Sequence, residues 1–260
     1  MYGINGQAVI DLDPFIDVAG FNALVEECHL GMARSQWEIS SFGPGVYDKV
    51  LARDLFAIEM GIYQPAGPGR PAHPDADYLR TVLKNMTPNQ RRTYLKLRYG
   101  VYSSGQSVYL RRSLTNDYKL INQPNANKWT ACAAHFPNLV GWIKALPFAE
   151  LGRILFFINE HLCPVVEHSD LHASLKPRGY VANQPHGYEF LWIRPKADSS
   201  KSFYVLDEST QERHYVKGSA AWFNSFDVHG ADPGPTMTWS LRVDGVFTPA
   251  LRKALTGREL

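Results

Sequence analysis

The chain of 260 residues can form one large domain or two small ones, and its hydrophobic content of 45% allows a substantial core. Its 27 basic and 25 acidic residues nearly cancel, which argues against a broad polyanion-binding surface and hence against a nucleic-acid partner. No apolar run reaches the roughly 18 residues of a transmembrane helix, and no signal-peptide pattern opens the chain. Three cysteines without CxxC spacing are typical of free thiols, so we expect a cytoplasmic protein without a membrane partner. The composition leaves the oligomeric state undetermined.

The first half of the chain, residues 1–146, is predicted to be mainly helical. Its predicted elements are a strand Gln7–Asp13, a helix Pro14–Arg34 capped by Asp13, helices Asp75–Met86 and Pro88–Tyr99, a strand Ser107–Arg111 and a helix His135–Leu146. Between them, Ser40–Gly45, Tyr63–Pro74 and Asn116–Lys128 are predicted loops. Tyr63–Pro74, rich in proline and glycine, would be either an active-site lid or a plain connector.

From Pro147 onward, short β-rich runs alternate with turn residues. The predicted strands are Arg153–Ile158, Pro164–His168, Tyr188–Arg194, Ser202–Leu206, Arg213–Val216, Ala221–Phe226 and Thr238–Phe247. The pattern favours an α+β fold in one catalytic domain over residues 1–260. Helices of the first half would support an antiparallel barrel or sandwich at 147–248, and residues 249–260 would form a closing helix or tail.

A histidine and an aspartate two residues apart end the apolar run Val165–Glu167. Because alternate residues of a strand share a face, His168 and Asp170 would project the same way, with Cα atoms roughly 6–7 Å apart. His229 follows several strands later, at the end of an aromatic strand and before a glycine–proline turn. Two imidazoles and one carboxylate are the ligand set of non-haem Fe(II) oxygenases, which leave positions open for other ligands. On its own, however, the HxD spacing is as typical of a polar turn.

An arginine on the next predicted strand strengthens the metal-site interpretation. Along that strand Trp239, Leu241 and Val243 would face one way. Ser240, Arg242 and Asp244 would face the other. An arginine aimed into a barrel needs a partner, and a dicarboxylate would bind it in a bidentate manner, helped by the Ser240 hydroxyl. The alternative is an exposed arginine on an edge strand that bonds to Asp244.

These residues together resemble the Fe(II)/2-oxoglutarate-dependent oxygenases of the cupin, double-stranded β-helix (jelly-roll) type. The segment from Leu146-Pro147-Phe148 through Val243-Asp244 looks most like the aspartyl/asparaginyl β-hydroxylase and proline hydroxylase branch, and Trp222–His229 is its most telling piece. The resemblance covers roughly the last 115 residues and leaves the first half of the chain without a counterpart.

The resemblance implies roles for particular residues. His168, Asp170 and His229 would hold Fe(II), and Arg242 with Ser240 would hold 2-oxoglutarate, the cosubstrate used with O₂. The carboxylate of Asp170 favours hydroxylation, because related halogenases lack it and bind halide in its place. The branch commonly carries an Arg-x-His pair soon after HxD, which this chain lacks, although Arg178 lies in that region. Arg178 and Arg153 are therefore candidates for substrate binding, although Arg153 could instead pair with Glu150 or Glu189.

The sequence thus predicts a hydroxylase that acts on an unactivated C–H bond of a small molecule, an amino acid or a biosynthetic intermediate, and releases succinate and CO₂. One alternative is a hydroxylase of an amino-acid side chain within a protein. The other is a non-catalytic, cupin-like module that binds a metal or ligand.

Overall fold

The computed structural model of the chain describes residues 3–35, 38–39, 106–113, 127–159, 165–169, 189–196, 203–224, 226–232 and 238–257. The helices predicted at Asp75–Met86 and Pro88–Tyr99 and the loops predicted at Ser40–Gly45 and Tyr63–Pro74 lie outside these ranges. The described part is a mixed α/β structure in which antiparallel sheets dominate and helices are few.

The strands, in chain order, are β1 Val9–Asp11, β2 Glu38–Ile39, β3 Gln106–Ser113, β4 Asn127–Trp129, β5 Phe148–Asn159, β6 Val165–His168, β7 Glu189–Ile193, β8 Phe203–Asp207, β9 Glu212–Tyr215, β10 Ala220–Phe223, β11 Val228–Ala231 and β12 Thr238–Phe247. The helices are α1 Val18–Ala23, α2 Val25–Arg34, α3 Pro137–Lys144 and α4 Pro249–Thr256, with short 3₁₀ helices at Asp13–Phe15 and Ala131–His135.

Two sheets organise these strands. The large sheet has the order β1-β10-β7-β12-β5-β3-β2, with β4 paired to β3, and the small sheet has the order β6-β11-β8-β9. From β5 to β12 the chain passes repeatedly between them: β5, β7, β10 and β12 belong to the large sheet, and β6, β8, β9 and β11 to the small one. Strands of the first half of the chain, β1 to β4, extend the large sheet at both ends.

The face of the large sheet that carries the helices, its outer face, holds the main apolar core. Trp239, Leu241 and Val243 of β12 belong to this core, together with residues from α1, α2, α3 and α4. Trp239 is 2% exposed, and its indole N–H donates to Nε2 of His29 in α2 at 2.9 Å. Apolar burial of this extent is the main term that stabilises the fold.

The opposite, inner faces of the two sheets enclose a second, smaller apolar cluster. It contains Phe190, Trp192 and Phe223 from the large sheet and Val205 from the small sheet. The alternation predicted along β12 is confirmed, since Arg242 lies with its guanidinium carbon 4.2 Å from the ring centre of Phe190. Reactive side chains on the inner faces of the two sheets therefore project into one shared space.

The start of the first helix differs from the prediction. A 3₁₀ turn over Asp13–Phe15 precedes α1, which begins at Val18, and Asp17 is its cap, accepting from the Gly20 N–H at 2.8 Å. Asp13 instead accepts from the backbone N–H groups of Ser219 and Ala220, at 3.1 and 2.7 Å. A distant turn thus uses the carboxylate that was predicted to cap the helix.

Other predicted elements shift at their ends. The helix predicted at His135–Leu146 begins at Pro137, because Ala131–His135 forms a 3₁₀ helix of its own, and the predicted loop Asn116–Lys128 ends in strand β4. The closing helix α4 is confirmed. Thr248 caps it by accepting from the Leu251 N–H, and Gly257 ends it at a φ of 69°, where glycine carries no steric penalty.

Candidate metal centre and anion pocket

The structure brings together the two predicted histidine ligands. His168 on β6 and His229 on β11 are direct cross-strand partners in the small sheet, and their ring centroids lie 4.5 Å apart. Directly opposed residues of an antiparallel pair project to the same face. Imidazole nitrogens bind divalent ions at about 2.0–2.1 Å, so two rings on neighbouring positions of one ion would have centres roughly 4.5–5 Å apart. The observed spacing therefore fits two ligands of a single ion.

The local hydrogen bonds prepare His229 for this role. Its Nδ1 lies 2.9 Å from the backbone carbonyl of Asp227, and a carbonyl can only accept, so Nδ1 carries the proton. In the neutral ring the lone pair is then on Nε2, as is typical of metal-binding histidines whose other nitrogen donates to a carbonyl or carboxylate. His229 is 4% exposed, whereas His168 is exposed on the edge strand. The pair is thus open at His168 and enclosed at His229.

The third predicted ligand, Asp170, lies outside the described residues, two positions after His168. Within the described ranges no group of three histidine, cysteine or acidic side chains is placed to hold a metal. The two histidines nevertheless fit the group that the ligand pattern implies in donor type and spacing, and His229 fits it in tautomer as well. They would supply two of the three protein ligands of a non-haem Fe(II) site.

The strand predicted at Ala221–Phe226, with His229 at its end, stops at Phe223, and His229 lies on a separate strand, β11. β10 ends at Phe223, and the Asn224 side chain accepts from the Phe226 N–H at 3.0 Å, which forms a turn before β11. Asparagine favours such turns by mimicking backbone geometry. The Asn224-Ser225 pair was the sequence signal for this turn. The turn moves His229 from the large sheet to the small one.

Aromatic rings line the space between the histidines and the large sheet. The ring centroid of His229 lies 5.0 Å from that of Phe223 and 5.7 Å from that of Phe203. Phe223 in turn contacts Phe190 at 4.7 Å, and Phe190 lies beneath Arg242. A continuous series of ring contacts therefore links the histidine pair to Arg242. The enclosed wall behind His229 is apolar, which keeps water away from that side.

Arg242 belongs to a buried charge cluster that sequence reasoning recognised only in part. Asp244 is 0% exposed, and its two carboxylate oxygens accept from Nε of Arg242 at 2.6 Å and from Nε of Arg153 at 2.8 Å. β12 is a central strand between β5 and β7, so Arg242 bonds to Asp244 but does not lie on an edge strand. The Arg242 side chain is 11% exposed and the Arg153 side chain 22%.

The cluster is positively charged. Two guanidinium groups share one carboxylate, so the three residues carry a net positive charge on the inner face. Each guanidinium has five N–H donors, and the observed ion pairs engage the Nε–H of each. Asp244, rather than Glu150 or Glu189, is the partner that the structure provides for Arg153. Ser240 is buried on the same face of β12 as Arg242, whereas Arg178 lies outside the described residues.

Glu189 is a buried acid that lies outside this site. It projects from β7 to the outer face, where Oε2 accepts from the Trp222 indole N–H at 2.6 Å beneath α4. Burial raises its pKa to about 8, although the Trp222 hydrogen bond and the positive charge of Arg252 both act to lower it. The neutral acid is therefore its ordinary form at neutral pH. Another buried cation, Arg194, donates to the Val216 carbonyl at 3.1 Å.

Comparisons with known proteins give distant structural similarities only. No protein-family model matches the sequence, and no curated protein matches it. A solved structure of a non-haem monooxygenase, a ThoJ–nickel complex, aligns at 14% identity with a TM-score of 0.30. The alignment covers 45% of this chain and 54% of that chain, so this chain spans about half the length of the monooxygenase. A 2OG-Fe(II) oxygenase from Burkholderia pseudomallei aligns at 11% identity over 88% of this chain and 89% of that chain, with a TM-score of 0.36.

A prolyl-4-hydroxylase from Pseudomonas putida aligns at 9% identity over 85% of this chain and 97% of that chain, with a TM-score of 0.29. Among the described residues, none of the helices has the length and apolar character needed to cross a membrane.

Proposed function

We propose that this protein is an Fe(II)/2-oxoglutarate-dependent oxygenase that hydroxylates an unactivated C–H bond of a small molecule, an amino acid or a biosynthetic intermediate. The observation that carries the proposal is the cross-strand pair of His168 and His229, with ring centroids 4.5 Å apart on the inner face of the small sheet. The cationic cluster around Arg242, on the inner face of the large sheet, supports it.

The strand order supports a double-stranded β-helix for β5–β12. Two antiparallel four-stranded layers, β5-β12-β7-β10 and β6-β11-β8-β9, are connected by a chain that repeatedly changes sheet. That connectivity is typical of a jelly roll, in which the inner faces enclose a ligand space. The histidines and Arg242 both project into that space.

In this proposal His168, Asp170 and His229 hold Fe(II). When bound, the metal would couple oxidative decarboxylation of 2-oxoglutarate by O₂, which yields succinate and CO₂, to the insertion of one oxygen atom into the substrate C–H bond. Arg242 binds the distal carboxylate of the cosubstrate, with the Ser240 hydroxyl as a second donor. Asp244 holds the Arg242 guanidinium in place, and Phe203 and Phe223 keep water from the side of His229.

The substrate is proposed to carry an acidic group. Arg153 shares Asp244 with Arg242 and is the more exposed of the two arginines, so it can contact a substrate carboxylate without displacing the cosubstrate. Arg178, in the segment that follows HxD, is proposed as a second contact. A cationic inner face enclosed by aromatic rings favours a small, acidic molecule.

The test is turnover of 2-oxoglutarate. Purified protein with Fe(II), 2-oxoglutarate and air should release succinate slowly without substrate, and His229→Ala should abolish release, because one of three ligands is lost. His135→Ala, which removes an exposed histidine, is the matched control and should keep wild-type release. Metal and 2-oxoglutarate binding without succinate would contradict the proposal and favour a non-catalytic binding module.

A second experiment tests the cationic cluster around Arg242. Arg242→Gln should raise the KM for 2-oxoglutarate by about 10- to 100-fold, since hydrogen bonds to charged groups contribute about 1.5–3 kcal/mol. Its affinity for Co(II), which can stand in for Fe(II), should be unchanged, because Arg242 lies on the large sheet and both histidines lie on the small one. Arg34→Gln, at the exposed end of α2, is the control for loss of a positive charge. An unchanged KM in Arg242→Gln would place the cosubstrate elsewhere.

A further inference from the structure

Among the described strands, the one that carries His168 is short and lies at the edge of its sheet. β6 has four residues and forms the edge of the small sheet, where β11 is its neighbour. The register pairs His229 with His168 and Ala231 with Val165, with an irregularity between them. A slip of one residue would turn His168 to the outer face and Glu167 to the inner face, because side chains alternate along a strand. The histidine pair therefore requires something that holds this register.

Side chains on the outer face of the small sheet meet at Glu167. Its Oε1 accepts from the Tyr204 hydroxyl of β8 at 2.8 Å and from the Arg213 guanidinium of β9 at 3.1 Å. The same guanidinium donates to Asp232, just after β11, at 3.0 Å, and lies 4.3 Å from the ring centre of Tyr204. We call Glu167, Tyr204, Arg213 and Asp232 the outer clamp. It links all four strands of the small sheet.

Gly230 provides the path across β11 that the clamp needs. It lies directly opposite Tyr204 in the register of β8 and β11. A Cβ atom at this position would lie 2.9 Å from the Val165 carbonyl oxygen and 3.0 Å from the Tyr204 hydroxyl. Since the absence of a side chain lets the Tyr204 hydroxyl pass over β11 to Glu167, a glycine is required next to His229.

The hydroxyl of Tyr204 is suited to donate this bond at any ordinary pH. Burial, together with the hydrogen bond to Glu167, raises the pKa of Tyr204 to about 12. Tyr204 is 3% exposed, whereas the side chains of Glu167, Arg213 and Asp232 are each about two-fifths exposed. The clamp thus has a rigid, buried centre and charged ends in solvent.

We propose that the outer clamp is a positioning device for the metal centre: by holding Glu167 on the outer face, it keeps β6 in the register that places His168 opposite His229. Glu167 directly precedes one ligand, and Asp232 follows the other by three residues. The clamp lies on the outer face, whereas His168 and His229 project to the inner face, so the clamp would act through the two histidines. This inference rests on the proposed function, since it assigns a role to residues behind the same metal pair.

The experiment measures Co(II) binding by visible absorption in Arg213→Met and Glu167→Ala. Both should bind Co(II) about 10- to 100-fold more weakly than wild type, the range seen when groups that orient metal ligands are removed. Arg213→Lys, which can keep one ion pair, should give an intermediate affinity. Glu212→Gln, which removes an exposed carboxylate next to Arg213, is the matched control and should bind as wild type does.

Tyr204→Phe removes a single hydroxyl and keeps the buried ring, so it provides a variant that folds if the charge changes disturb the sheet. It should weaken Co(II) binding several-fold and alter the shape of the Co(II) absorption bands, which report ligand geometry. A purely structural role would lower the melting temperature without changing either readout, and that result would overturn the inference. Wild-type protein that binds no Co(II) would overturn the proposed function as well. Wild-type binding with unchanged affinity in the variants would overturn the clamp alone.

Discussion

The outer faces of the two sheets are built in opposite ways. On the large sheet this face is apolar and covered by helices, with Trp222, Trp239 and Phe156 at most 2% exposed. On the small sheet it carries the outer clamp, whose charged ends are in solvent. Burial of apolar surface contributes strongly to stability but has little directional preference, whereas exposed ion pairs contribute little stability and have defined geometry. We infer that the large sheet supplies stability and the small sheet positions the histidines.

The largest expected effect comes from the apolar face. Phe156→Ala should lower the free energy of unfolding by about 3–5 kcal/mol, because it leaves a cavity between Phe136 and Trp239, whose ring centroids lie 5.2 and 5.4 Å from that of Phe156. Denaturant unfolding measures this change. Phe15→Ala, at a residue 40% exposed, is the control and should cost much less. If folded Phe156→Ala lost much of its Co(II) affinity, the inference that the large sheet supplies stability while the small sheet positions the histidines would be contradicted.

A pH-dependent effect, at most of comparable size, is expected from Glu189, a carboxyl group under the apolar face. Its folded pKa of about 8 lies above the ordinary value of 4.5, so the folded state binds more protons between these two values. Stability should therefore fall as the pH rises from about 4.5 to about 8, by at most about 1.4 kcal/mol per unit of pKa shift. Glu189→Gln should flatten this fall and be more stable than wild type above pH 8.

Urea unfolding at acidic, neutral and alkaline pH measures the Glu189 effect. Glu208→Gln, at an exposed position in the turn between β8 and β9, should follow the wild-type curve and serves as the control from the small sheet. If the free energy of unfolding depended on pH in the same way in wild type and in Glu189→Gln, burial under the apolar face would not disfavour the charged form of Glu189.

The smallest effect is expected at the rim of the clamp. Tyr215 is 40% exposed and donates to Asp232 at 3.0 Å, but it does not bond to Glu167. Tyr215→Phe should change the free energy of unfolding by less than about 1 kcal/mol and the Co(II) affinity by less than about twofold. The comparison with Tyr204→Phe sharpens the assignment, since both variants lose one tyrosine hydroxyl. Equal losses of Co(II) affinity would mean that the clamp is not centred on Glu167.

Local pattern was sufficient to predict several parts of this architecture. The two-residue period of β12 placed Arg242, Ser240 and Asp244 on one face, and the closing helix or tail predicted at 249–260 contains the helix α4. These features depend on residues close together in the chain. The helix start was wrong because Asp13 bonds to Ser219 and Ala220, some two hundred residues away.

By itself, therefore, the sequence determined the candidate residues: the HxD pair, a later histidine, and an arginine that side-chain alternation assigns to one face of its strand. Only the tertiary structure decided that His168 and His229 are cross-strand partners, that Asp244 holds both Arg242 and Arg153, and that Glu167 is held from two other strands. The physical reason is that side-chain facing follows from backbone geometry within a strand. Register and partner choice depend instead on pairing between segments far apart in the chain, which local periodicity does not encode.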